Sequence, residues 1–176
     1  SAYKAFVPNG PDRARIIADI YPTYGQYLKG GFLSHLAGKV FVRTGLPSVH
    51  VRIHNVFQHG DMLPCEDRQP GIDLAHAHAK SWQDWINAYR YRVTKGSYRP
   101  ELGPNKPYEK GGLSMNDLFM MIETESGESG LRAFFDEVCA DTPHLRDRLE
   151  AHGLLREINL HLPEHLATHF PEFTGL

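Results

Sequence analysis

The chain lacks most of the features that make a function legible. It has two cysteines, Cys65 and Cys139, too few for a disulfide scaffold and without the C-x-x-C spacing of a zinc clip or redox motif. No apolar run approaches the roughly 20 residues of a membrane helix, and residues 1–10 lack the charged and apolar regions of a signal peptide. The expectation is a soluble protein without membrane insertion, cytoplasmic in preference to secreted. Neither sign of charge is in excess: 19 Lys and Arg stand against 21 Asp and Glu, a formal net charge of -2. That excludes a uniformly basic nucleic-acid coat but not a local basic patch. G-x-G-x-x-G, Walker A, G-x-S-x-G, H-E-x-x-H and C-x-x-C-H motifs are all missing, so common nucleotide, hydrolase and haem signatures give no support. There is no internal repeat or low-complexity tract.

What is present is histidine, eleven of them, in a chain of 176 residues that is 41% hydrophobic and 23% charged. These proportions are ordinary for a globular protein, and the length favours one domain over residues 1–176. A fold of this size buries roughly 70% of the surface its unfolded chain exposes. Neither metal nor disulfide is needed for stability alone.

The hydrophobic spacing predicts an α+β fold, predominantly helical, with a small antiparallel sheet. Pro11 opens a helix over about 11–21, and Thr23 starts a second along Tyr24, Tyr27, Leu28, Phe32, Leu33 and Leu36, weakened by Gly30–Gly31. From residue 39 the period changes to two. Strands are expected over 39–43 and 48–57, with Val49, Val51 and Ile53 toward the core and His50, Arg52 and His54 on the other face. A long helix follows over 72–93, with His78 on its apolar side and Leu74, Trp82, Trp85, Ile86, Tyr89 and Val93 beside it. Residues 94–113, rich in Gly and Pro, make a loop of the length that usually serves as a lid or binding segment. Ser114 with Asp117 forms a capping box, Thr142–Pro143 starts another helix that ends before Gly153, and Pro163 starts a last one that Pro171 stops. A strand over 156–162 is expected to join the hairpin.

Three constellations have chemical potential. The first is His50, Arg52 and His54 with His59-Gly60-Asp61, because imidazole and carboxylate are the donors zinc and non-haem iron take. His50 and His54 would lie about 13 Å apart on an extended strand at roughly 3.3 Å per residue. One of them with His59, Asp61 and a distant histidine, His144, His152 or His161, is the more compact set. His59-x-Asp61 fits the start of a two-histidine, one-carboxylate triad, although such sites usually sit in larger sheets. The second is His161, Glu164, His165 and His169. Here His165 and His169 are one helical turn apart, while Pro163 argues against an inverted zinc-peptidase helix. The third interleaves cations and rings: Tyr89, Arg90, Tyr91, Arg92, Lys95, Tyr98, Arg99, Lys106, Tyr108 and Lys110 suit phosphates and stacked bases.

The leading expectation is a small metal-dependent hydrolase or oxygenase. His50, His59, Asp61 and His161 would hold zinc or iron, Arg52 and His54 would act in catalysis, and Arg90, Arg92, Lys95, Tyr98 and Arg99 would bind an anionic substrate. Its competitor is a noncatalytic module whose basic-aromatic segment captures an anionic small molecule or nucleic acid while the histidines merely solvate surfaces. A metal-independent phosphodiesterase, with His50 and His54 as acid and base and Arg52 stabilising the oxyanion, is the third reading.

Overall fold

The computed structural model describes residues 2–28, 30–33, 38–64, 79–104 and 107–173. It shows an α+β, mostly helical fold. In chain order the elements are β1 (Ala2–Lys4), α1 (Arg13–Ile20), β2 (Val49–Val51), β3 (Val56–Gln58), β4 (Asp61–Met62), α2 (Trp82–Thr94), α3 (Met115–Val138), α4 (Pro143–Ala151), β5 (Leu155–Glu157) and α5 (Leu162–His169). Short 3-10 turns occupy Gly25–Tyr27, Tyr108–Lys110 and Pro171–Phe173. Among the described residues no helix is long and apolar enough to cross a membrane.

The core is aromatic, and α2 supplies its spine. Ser81 caps that helix by accepting from the Asp84 N–H, as Ser does at an N-cap. The rings of Trp82, Trp85 and Tyr89 then follow at helical spacing and stack pairwise at 5.5 Å. Phe119 and Phe134 meet Trp85 from α3 and meet each other edge to face at 5.0 Å, the arrangement aromatic quadrupoles favour. Val7, Ile17, Ile20, Tyr21, Leu145, Leu149 and Leu154 complete the cluster from α1, α4 and the neighbouring segments. Leu74, His78 and Cys65 lie outside the described residues.

The cap signals hold. Ser114 and Asp117 form a full capping box, and the Thr142 side chain accepts from the Leu145 N–H with Pro143 in the first turn. Inside α3, Gly127 has φ 58 and ψ -147 and divides the helix into two runs.

Several local expectations are corrected. Of the helix expected from Thr23, the described residues show only the turn Gly25–Tyr27, with Leu36 lying outside them; Gly30 and Gly31 both have positive φ, which a right-handed helix cannot accept. No strand forms over 39–43. The strand expected over 48–57 is a hairpin, β2 folded onto β3 through residues 52–55, with the Arg52 N–H donating to the Asn55 carbonyl at 2.8 Å. Also, β5 pairs antiparallel with β1, Tyr3 opposite Arg156, and not with the hairpin. Consequently Val51 and Ile53, expected in the core, are 52% and 73% exposed. The sheet β2–β3–β4 is an arm whose strands pair with one another.

Candidate functional site

The arm is built by two turns. The β3–β4 link is His59–Gly60, with φ of 53 and 95. Two successive left-handed residues match the right-handed twist of the flanking strands, and the second place favours Gly. The register then assigns the faces, because residues directly opposite in an antiparallel pair share one. His50 faces Phe57 and Phe57 faces Met62. On the reverse face Val49 pairs with Gln58, Gln58 with Asp61, and Val51 with Val56.

Phe57 gathers two of the expected site residues. The Arg52 guanidinium lies 4.8 Å from its ring centroid and the His50 ring 6.4 Å away. Arg52 and His50 are exposed, and a guanidinium over a ring keeps donors free for an incoming anion. Asp61, the single carboxylate of residues 38–64, sits on the opposite face. The sequence reading missed Phe57. Its signal was available in the position across from His50, but only once the turn at 52–55 is recognised.

The expected metal set is dispersed. His50 lies on the cation face, His59 at the tip of the β3–β4 turn, and Asp61 on the reverse face. His161 belongs to another element. It precedes α5 with φ 47, its N–H donates to Asn159 Oδ1 at 3.0 Å, and its Nδ1 is 3.9 Å from Glu164. Among the described residues no three His, Cys, Asp or Glu side chains form a group able to hold a metal ion. His54, expected as an acid–base partner of His50, lies in the hairpin turn with Nδ1 2.7 Å from the Gly38 carbonyl, which requires that nitrogen to carry the proton. His165 and His169 do stack on α5, with centroids 5.9 Å apart.

The basic-aromatic stretch is partly built into the helical body. Tyr89 is buried and donates to Glu123 at 2.8 Å; burial first and Glu123 second push its phenol above the ordinary range. Arg90 is paired with Glu123 and lies 3.7 Å from Glu128. Tyr98 is buried, its phenol raised to about 12 chiefly by burial, and the Arg92 guanidinium lies 5.7 Å from its ring. Arg99 donates to the Gly96 carbonyl and sits 3.7 Å from Glu101. Lys95 and Tyr91 are exposed, whereas Lys106 lies outside the described residues. Two rings of this stretch, Tyr89 and Tyr98, are therefore core residues.

A buried amine also escaped the sequence reading. Lys4 Nζ donates to Tyr21 Oη at 3.0 Å and to the Val138 carbonyl at 2.6 Å. Burial lowers its pKa, and burial likewise pushes the neighbouring Cys139 thiol up to about 11. Where β1 packs against the end of α3, burial thus favours the neutral form of each group, the free amine of Lys4 and the thiol of Cys139.

Grooves on the described surface include two of note. One, of about 220 Å³, lies along the reverse face of the arm, between Val40, Phe41, Val42 and Leu46 on one side and Val56 and Leu63 on the other. The second, of about 350 Å³, lies between Tyr24 and Tyr27 and the α3 residues Met121, Ile122 and Glu125. Comparison with known protein families, curated proteins and solved structures returned no match.

Proposed function

We propose that the protein is a noncatalytic interaction module whose three-stranded arm holds an anionic partner on the face formed by His50, Arg52 and Phe57. The observation that carries this reading is the stacking of Arg52 on Phe57, 4.8 Å from the ring centroid, on a face from which Asp61 is excluded by register. Single-stranded nucleic acid is the ligand class that fits best, since it offers a phosphate to the guanidinium and a base to the rings within one nucleotide. Lys39 and Arg43, on the segment leading into the arm, add cations that pair with no described carboxylate. Long-range attraction then falls as salt rises.

The test is fluorescence anisotropy of a labelled single-stranded oligonucleotide over a salt series. Binding that weakens steeply with salt and falls about tenfold in Arg52→Ala, with a further loss in Phe57→Ala, is the expected result. Binding indifferent to both substitutions, or no binding at low salt, overturns it. Stoichiometric zinc or iron in protein purified without a His tag, lost in His59→Ala, would instead restore the metal-dependent enzyme reading.

A further inference from the structure

Helix α5 carries two histidines that the anion-binding face of the arm does not use. The helix, Leu162–His169, is eight residues long, has Pro163 in its first turn and buries none of its residues. His165 and His169 are four residues apart, which places them on one face, one turn above the other. Both are exposed. Their rings stack with centroids 5.9 Å apart and planes 14° from parallel. Among the described residues no hydrogen bond or ion pair engages either ring. The pair is therefore already gathered by the backbone, and its ring nitrogens are open to a ligand. His161, four residues earlier, does not join it. That residue lies ahead of the helix with φ 47, and its Nδ1 is 3.5 Å from Asn159 and 3.9 Å from Glu164. Glu164 itself is turned about 100° round the helix from His165.

We propose that His165 and His169 form a two-imidazole chelate for a divalent transition metal of the copper, nickel and zinc class, with water in its remaining positions. Imidazole nitrogen is the donor these ions take, whereas a hard ion such as Mg(II) prefers carboxylate and water. Two nitrogens each about 2.0 Å from one ion lie roughly 3 Å from each other. Rings one helical turn apart come within that reach by side-chain rotation, and on an exposed face no packed neighbour has to move. With two protein ligands the site is a surface chelate, in keeping with the absence of any three-ligand group among the described residues. Its effect on the fold follows from the length of α5. Eight residues make a helix that its own backbone bonds hold only marginally, and an ion clipped across one turn favours the folded form over the unfolded one. The site is separate from the anion-binding face on the arm, and each reading can fail without the other.

Isothermal titration of the full, untagged chain with Cu(II), Ni(II), Zn(II) and Mg(II) salts tests the chelate. The expected result is Cu(II) bound more tightly than Ni(II) or Zn(II), and no response to Mg(II). His165→Ala and His169→Ala should each weaken Cu(II) binding about tenfold or more, because the second nitrogen binds as an intramolecular ligand and its loss forfeits that advantage. Both residues are exposed, so neither change removes a core side chain, and circular dichroism confirms that each variant folds. The electron paramagnetic resonance spectrum of the Cu(II) complex should show two nitrogen donors in the wild type and one in either variant. His59→Ala should leave the binding intact, which separates this ion from the one the metal-dependent enzyme reading needs on the arm. No binding of Cu(II), affinity unchanged by either α5 substitution, an equal response to Mg(II), or loss of binding in His59→Ala overturns the proposal.

Discussion

In the helical body Arg90 meets Glu123 and Glu128, Arg132 meets Asp136, and Arg146 meets Asp141. In the arm Lys39, Arg43 and Arg52 meet no described carboxylate. The same contrast runs through the rings: Trp85, Tyr89 and Phe119 are at most 1% exposed, while Phe41 is 78% exposed. A region whose polar and apolar groups already have partners inside the molecule has few left to offer a ligand. The contrast teaches that the rings and charges of the helical body are engaged within the fold, whereas those of the arm and of the segment leading into it stand toward solvent. Of the residues expected at the end of α2, Arg90 is paired with α3 and Tyr98 packs against it, while Tyr91 and Lys95 stay exposed.

The largest effect that would sharpen this comparison is expected at its most buried point. Phe119→Ala removes a ring touching Trp85, Tyr89, Tyr98 and Phe134 and should cost about 3–5 kcal/mol in urea unfolding. Gly127→Ala comes next, at about 1–3 kcal/mol, because φ 58 with ψ -147 is a region essentially reserved for glycine. Ser114→Ala should cost about 1 kcal/mol through loss of the α3 cap. Hydrogen bonds from the Ser114 side chain and N–H hold the Asp117 carboxyl below its ordinary range, and Arg146 does the same for Asp141. A carboxylate lowered on folding adds stability above its unfolded pKa and loses it as pH falls through the folded one. The urea midpoint should therefore drop as pH descends below about 4, and Ser114→Ala should flatten part of that descent. Smallest of all, Ile53→Ser in the arm should change stability by less than about 0.5 kcal/mol. A loss there comparable to that of Phe119→Ala would break the division into body and arm.

Helices with polar caps were legible because their start signals are local: Ser114 with Asp117, Thr142 with Pro143, and Pro163 ahead of a short apolar run. The arm was harder, since the alternation from Val49 to Phe57 continues through a turn that contains Asn55 but no glycine or proline. Facial segregation of His50 and Arg52 from Val49 and Val51 could still be read, but that the valine face meets no core could not. Nothing local states what a strand packs against. The histidine spacings were visible in the same way, whereas convergence depends on contacts between distant segments. Arg90 illustrates the limit: its partner Glu123 is 33 residues away in sequence, beyond the reach of any helical or strand period.

The ladder between β1 and β5 joins Ala2–Lys4 to Leu155–Glu157, so the first strand cannot find its mate until residues 155–157 have emerged during synthesis. Until then the backbone groups of β1 lack the partners that β5 supplies. Such distant pairing makes closure a late event, one that pays loop entropy before any reward. Refolding experiments should find the helical signal recovering ahead of the strand contact between residues 3 and 156.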